Sequence, residues 1–157
     1  MKKYLLTIIF CGVQFVYGLS STQITGKVVG VMDGDTIKVL TIHKDLYKIR
    51  LANIDAPEKR QSYGQKSKWY LSDLIYGKFV LVRISKKDRY GRYIGTVYLN
   101  RENINLKMVE HGYAWAYRKY LNDRSFITYE NYAKNNHLGL WADQDPLPPE
   151  EFRKLHR

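Results

Sequence analysis

Between Ile24 and Leu51 the chain carries three short runs of alternating or β-branched residues separated by only a few turn residues, which leaves room for antiparallel strands and nothing larger. Ile24 to Met32 is rich in valine, with glycines at 26 and 30. Thr36 to Ile42 sets Ile37, Val39 and Thr41 against Thr36, Lys38 and Leu40, and Tyr47 to Leu51 alternates in the same way. Asp33-Gly34, between the first two runs, marks a tight hairpin turn. From Gln65 to Ile75 the period changes: Ser67, Tyr70, Leu71, Leu74 and Ile75 fall on one helical face, and Gly77 ends the helix. Two more strands follow, Phe79 to Ser85 and Tyr93 to Leu99, joined by the charged turn from Lys86 to Arg92. A short helix from Ile104 to Glu110 stops at Gly112. A last helix, capped by Asp123, carries Phe126, Tyr129, Glu130 and Ala133 on one face and ends near Gly139. Beyond it, Trp141 to Pro149 reads as an extended tail packed by its tryptophan. Three strands, a helix, two strands and then helices is the order of a small Greek-key barrel of the OB type, an α+β arrangement whose open face suits oligonucleotides.

Size and composition agree with one such domain. At 157 residues and 45% hydrophobic content, the chain supports a single core. Lys and Arg number 26 against 15 Asp and Glu, a net charge of +11 that favours polyanionic partners, nucleic acid or an anionic membrane. Fourteen Tyr, three Trp and five Phe exclude a disordered basic tail, which lacks the aromatics to build a core. The single cysteine, Cys11, excludes an intramolecular disulfide and a cysteine-based zinc site.

Lys2 and Lys3 precede a mostly apolar run from Leu5 to Tyr17, with small residues at Gly18, Ser20 and Ser21. That order predicts a secretory signal peptide over residues 1–20, the run being short for a membrane span of roughly 20 residues; an uncleaved anchor is the other reading. The bulky Phe10 before Cys11 argues against lipidation there. Without Lys2 and Lys3 the 26 basic groups become 24 against 15 acidic ones, so the exported chain carries +9.

The acidic residues are few and gathered. Asp33, Asp35, Asp55 and Glu58 all fall at strand ends or turns, which adjacent antiparallel strands bring together. Converging carboxylates repel unless a hard cation offsets them, so calcium or magnesium is implied. An EF-hand is excluded, because Ile37 and Lys38 stand where its loop needs an oxygen ligand and a glycine. Alone, Asp33-Gly34-Asp35 would be only a turn. Arg50 lies within an otherwise apolar strand and Arg92 closes the basic turn; beside a divalent cation two guanidinium forks form a clamp for a phosphodiester. A lone strand arginine is more commonly a surface side chain whose stem packs on the protein. The four histidines show no metal spacing, and no serine elbow or phosphate-binding loop occurs. Tyr113, Trp115, Tyr117 and Tyr120 interleave with Arg118 and Lys119, a mix suited to base stacking beside phosphate contacts, although Tyr113 and Trp115 read rather as core.

Taken together, Asp33-Gly34-Asp35-Thr36, Ile49-Arg50-Leu51 through Ile54-Asp55-Ala56-Pro57-Glu58, Tyr63-Gly64 and Asp88-Arg89-Tyr90-Gly91-Arg92 resemble the staphylococcal nuclease family in order and spacing. The resemblance runs from about Thr22 to Trp141, and the ending Gly139-Leu140-Trp141-Ala142-Asp143 with Pro148-Pro149 is similar to its secreted bacterial branch. It implies a five-stranded OB-type barrel with three helices, in a nuclease domain over residues 21–145 followed by a C-terminal tail over 146–157. It also implies a secreted, calcium-dependent endonuclease that cuts DNA and RNA to leave 3′-phosphate ends. Carried over by motif, Asp35 and Asp55 would bind calcium through their carboxylates and Ala56 through its backbone carbonyl, although the best-known member has threonine in place of Ala56. Glu58 would position or deprotonate the attacking water, Arg50 and Arg92 would hold the scissile phosphate, and Arg89 and Tyr90 would line the nucleotide site. Tyr117 and Tyr120 are both candidates for the stacking tyrosine. The expected protein is a monomer that prefers single strands, has little sequence specificity and has no stable membrane association once its signal is removed. The rival reading is an OB-fold nucleic-acid-binding module that has lost catalysis, and it has no need of all five of Asp35, Arg50, Asp55, Glu58 and Arg92.

Overall fold

A computed structural model describes residues 22–156; the expected signal peptide over 1–20, with Cys11, lies outside the described residues. The strands are β1 (Thr22–Asp33), β2 (Thr36–Thr41), β3 (Leu46–Leu51) and the short β4 (Ile54–Asp55), then helix α1 (Gly64–Ile75), β5 (Phe79–Lys87) and β6 (Tyr93–Leu99). They are followed by β7 (Glu102–Asn103), α2 (Ile104–Glu110), β8 (Trp115–Ala116), α3 (Ser125–Asn135) and α4 (Pro149–Leu155). The sheet runs β3-β2-β1-β5-β6, and β3 pairs with β6 in parallel through Ile49↔Tyr93, Arg50↔Ile94 and Leu51↔Gly95. That pairing closes a five-stranded barrel, as expected of an OB fold.

The long β1 makes closure feasible. Its first half pairs with β5 and its second with β2, and irregularities between Val28 and Gly30 and between Val31 and Asp33 coil it from one side of the barrel to the other. Inward positions at period 2 (Val28, Ile37, Val39, Ile49, Leu51, Val80, Val82 and Val97) are fully buried or nearly so. Leu71 and Ile75 of α1, Ile104, Met108 and Val109 of α2, and Phe126 of α3 complete the same core.

The β1–β2 connection is one residue later than expected: Asp33 already pairs with Thr36, so the turn is Gly34-Asp35. Glycine is required at 34 because a Cβ there would lie 1.9 Å from Ser67 Oγ of α1 and 2.7 Å from Ala56 Cβ. The Asp35 turn can therefore seat directly on α1 and on the strand that carries Asp55.

The barrel end is clamped by Asn105, which is fully buried in α2. Its Oδ1 accepts from Val97 N at 3.0 Å and its Nδ2 donates to Ala52 O at 2.9 Å and Gly95 O at 3.1 Å. Asn105→Leu strands Val97 N and Ala52 O without these partners, while Gly95 O still accepts from Ala52 N at 2.8 Å, and we expect it to lower stability by about 3 kcal/mol, measured as a fall in urea midpoint. An unchanged midpoint would mean that water replaces the amide.

Two expectations about the C-terminal third need correction. Asp123 Oδ1 accepts from Ser125 N at 2.9 Å, but the residue before α3 is Arg124, so Asp123 forms a turn ahead of the helix and does not cap it. The tail is not extended throughout, and the α-helices among the described residues number four. Gly139–Ala142 makes a 3-10 turn that buries Trp141 edge-on to Trp115, and Pro149–Leu155 is helical. Pro149 opens α4 with a φ suited to the first helical turn, and Glu150 and Glu151 follow where they favour the helix dipole.

Candidate active site

Strand register assembles the acidic site. Arg50 of β3 lies opposite Thr36 of β2, and Leu51 N donates to Asp35 O at 2.8 Å, so the two strand ends are locked side by side. β4 then turns back, and its pairing Asp55↔Trp115 with β8 draws the 115–120 segment beside Asp55.

Arg50 is the hub of this arrangement. Its Nη1 donates to Leu51 O at 2.8 Å and Ile54 O at 2.9 Å, and its Nη2 lies 3.1 Å from both Asp35 Oδ2 and Asp55 Oδ1. Both carboxylates thus face one spot. Asp35 is further held by Thr36 Oγ1, which donates to Oδ1 at 3.0 Å, and by Ala56 N, which donates to Oδ2 at 2.9 Å. The Ala56 N–H thus anchors the Asp35 carboxylate. Asp35 and Asp55 are both buried, at 7% and 4% exposure. Burial pushes the Asp55 carboxyl above its ordinary range against the pull of Arg153 and Arg50. Burial, and next the neighbouring Asp35, push Asp33 up to about 6. Such crowding of negative charge is what a cation relieves.

The donor chemistry fits a hard metal ion and no soft one. Among the described residues no group of three or more His, Cys, Asp and Glu side chains is gathered as a metal cage. The carboxylates of Asp35 and Asp55 offer oxygen alone, so backbone and water oxygens would complete a coordination shell.

Glu58 stands at the rim, with its side chain 40% exposed, and its Oε1 accepts from Arg153 Nη1 at 2.8 Å. Arg153 also donates to both oxygens of Asp55, from Nη1 to Oδ1 at 3.2 Å and from Nη2 to Oδ2 at 2.8 Å. Burial works against the charge on Arg153, but its hydrogen bonds to Asp55 and Glu58 raise its pKa above the ordinary arginine value.

Arg92 is not brought onto the carboxylates. Asp88 holds it, accepting from Arg92 N at 2.9 Å and from Nε at 2.8 Å, which orients the guanidinium while leaving both Nη groups unpaired among the described residues. Tyr90, within this turn, is 67% exposed, with the Arg89 and Arg92 guanidiniums 4.8 and 5.7 Å from its ring centre. Tyr117 and Tyr120 meet edge to face at 5.0 Å. Tyr117 is the inner of the two: burial, and next the nearby Asp55 charge, raise its phenol pKa. Tyr120 is exposed between Lys86 and Lys119, whose ammonium groups lie 5.7 and 5.6 Å from its ring centre. Arg118 is committed elsewhere, to the fully buried Glu130, which also accepts from Ala116 N at 2.9 Å and Lys134 Nζ at 2.9 Å.

A protein-family model described as "Staphylococcal nuclease homologue" matches residues 48–143, more than half of the chain. The chain belongs to the staphylococcal nuclease family. Membership makes it an endonuclease, a hydrolase of phosphodiester bonds. This nuclease is 43% identical over 156 residues to an "Uncharacterized endonuclease" of Haemophilus influenzae, covering 99% of this chain and 88% of that one. It is 43% identical over 150 residues to a protein of the same description from Escherichia coli O157:H7, covering 95% of each. It is also 40% identical over 143 residues to the "Micrococcal nuclease" of Shigella flexneri, covering 84% of this chain and 82% of that one. The family match includes Arg50, Asp55, Glu58 and Arg92 but stops short of α4. Four side chains of this nuclease that shape the site were not found from sequence: Gln61, Asp88, Glu130 and Arg153. Asp88 sits inside a quoted motif, so its spacing four residues before Arg92 could have pointed to it. Glu130 shares a helical face with Phe126 and Ala133, where a carboxylate in an apolar stripe could have pointed to it, and Gln61 and Arg153 carry no local signal.

Proposed function

We propose that this nuclease is a secreted, calcium-dependent endonuclease that cleaves DNA and RNA without sequence specificity and leaves 3′-phosphate ends. The observation that carries the reading is the convergence of Asp35 and Asp55 on one Arg50 nitrogen, with Glu58 at the rim beside them. A module that only bound nucleic acid would gain nothing from burying two carboxylates on a basic surface, since they repel phosphate. Asp35 and Asp55, with the Ala56 carbonyl, would hold the cation, which supplies positive charge to the phosphoryl oxygens when bound. Glu58 takes the proton of the attacking water. Arg50, and Arg92 with its free Nη groups, donate to the phosphate oxygens as charge accumulates there. Export follows from the composition of residues 1–20.

A sparse oxygen set tolerates calcium's loose geometry better than the strict octahedron of magnesium. Plasmid cleavage should therefore stop on chelation, return with calcium and recover poorly with magnesium alone; equal turnover in magnesium would contradict the calcium assignment. Undiminished cleavage in chelator would remove the metal altogether.

Binding should depend on salt and not on sequence. Lys86 and Lys119 flank Tyr120, Arg89 lies against Tyr90 and Lys87 against Tyr93, so about four phosphate contacts predict a slope near −3 for log affinity against log salt on single strands. Tyr90 and Tyr120 offer ring faces to any base, which favours single strands and, within duplexes, easily opened A·T-rich stretches. A flat salt series with the Glu58→Gln protein, or strict cleavage at one motif in single strands, would exclude this account.

A further inference from the structure

We infer that Arg153 of the C-terminal helix is a positioning residue of the active site, whose guanidinium fork sets the Glu58 carboxylate in place relative to Asp55. The inference rests on the reading of Glu58 as the base and Asp55 as a cation ligand.

Two independent links run from the C-terminal segment to Glu58. The first is the side chain: Arg153 Nη1 is shared between Glu58 Oε1 at 2.8 Å and Asp55 Oδ1 at 3.2 Å, while Nη2 reaches Asp55 Oδ2 at 2.8 Å. The second is the backbone: Gln61 Oε1 accepts from Glu58 N at 3.0 Å, and Gln61 Nε2 donates to Leu147 O just ahead of α4. Ser62 Oγ ties the same loop to Asp143 Oδ2 at 3.2 Å, and the buried Pro149 fixes the start of the helix. The segment therefore grips the Glu58 loop at its main chain and at its carboxylate.

The chemistry explains why a fork is needed. Asp55 and Glu58 are like charges, and a shared guanidinium nitrogen offsets their repulsion and fixes their spacing. Because Arg153 occupies Oε1, and Oε2 accepts no hydrogen bond among the described residues, Oε2 is the oxygen left for a water. Without Arg153, a carboxylate already 40% exposed gains rotamer freedom and swings toward solvent. Arg50 cannot replace it, since both its Nη groups are engaged, with Asp35, Asp55 and two backbone carbonyls.

The test uses the full chain and compares wild type, Arg153→Ala, Arg153→Lys, Glu58→Gln and the double variant Glu58→Gln/Arg153→Ala. Cleavage of a fluorogenic single-stranded oligonucleotide is measured at saturating calcium, with calcium titration by calorimetry and a thermal melt of each protein. We expect Arg153→Ala to lower kcat by roughly 10- to 100-fold, the scale of a misplaced reacting group, with KM changed less than about two-fold. Arg153→Lys, which keeps the charge but not the fork, should recover part of the loss, and the double variant should be no slower than Glu58→Gln alone. Wild-type kcat in Arg153→Ala overturns the inference. So does an equal further drop in the double variant, which marks a merely structural contact, and so does faster turnover at limiting calcium with tighter calcium binding, which marks a competitor for the cation. If Arg153→Ala fails to fold, an unchanged kcat in Arg153→Lys overturns it equally. Failure of the underlying reading looks different: Glu58→Gln would then cleave at the wild-type rate, or no protein would take up calcium.

Discussion

Glu58→Gln is expected to reduce turnover by on the order of 10²-fold or more, the usual scale for removing a general base, while single-stranded DNA binds almost as before. The substitution keeps size and shape, removes the capacity to take a proton, and replaces the charged contact with Arg153 by a neutral one. Glu58 lies at the rim with its side chain 40% exposed, so the neutral amide is readily accommodated, and the fold should be unaffected. Arg153 keeps both hydrogen bonds to Asp55 that do not involve Glu58. On the proposed function, binding should rest mostly on residues Lys86 to Arg92 and the Tyr117–Tyr120 segment, which the change does not touch. Single-turnover cleavage alongside a fluorescence-anisotropy titration separates the two quantities. An unchanged cleavage rate would remove Glu58 from the mechanism.

Arg50→Lys should be nearly as damaging, at roughly 2–4 kcal/mol of transition-state stabilisation, which is about 30- to 900-fold in kcat/KM. A lysine preserves the charge but offers one nitrogen where Arg50 uses two, with Nη1 on Leu51 O and Ile54 O and Nη2 on Asp35 and Asp55. One ammonium cannot hold the β4 turn and face both carboxylates, so the strand end carrying Asp55 loosens as the phosphate clamp is lost. Arg92→Lys should also slow the chemical step, by loss of the Nε anchor on Asp88 and of the fork it orients. A difference between them is expected in stability: Arg50→Lys should lower the melting temperature, because its contacts are buried, and Arg92→Lys should hardly change it. Full activity of either lysine variant would reduce that arginine to electrostatic steering.

Much of the barrel was legible in the sequence because a half-buried strand announces itself locally. Tyr93–Leu99 and Ile104–Glu110 are observed with the bounds that alternation and the Gly112 stop predict. Other barrel strand ends shifted by a residue or two, as at β1 and β5, where pairing with a neighbour extends a strand past its own apolar pattern, whereas α3 stops at Asn135, short of the end expected near Gly139. Helix α4 was invisible for the opposite reason. Its seven residues, Pro149 to Leu155, hold only Phe152 and Leu155 as large apolar side chains, and Leu155 is exposed, so no amphipathic period exists to read.

The candidate site divides along the same line. Asp35, Arg50, Asp55, Glu58 and Arg92 stood out because acidic residues clustered at strand ends and arginine within a strand are locally anomalous, and chemistry alone demands a reason for them. Which of those groups touch was decided by tertiary structure. The parallel closure of β3 on β6 and the register of β3 on β2 put Arg50 between two carboxylates, whereas Arg92 was turned onto Asp88 four residues away. Arg153 reaches Asp55 across a separation of 98 residues, through a chain path fixed by Gln61, Ser62 and Pro149. A sequence shows the preferences of neighbours; a contact between residues so far apart exists only once the intervening core has packed and set the distance between them.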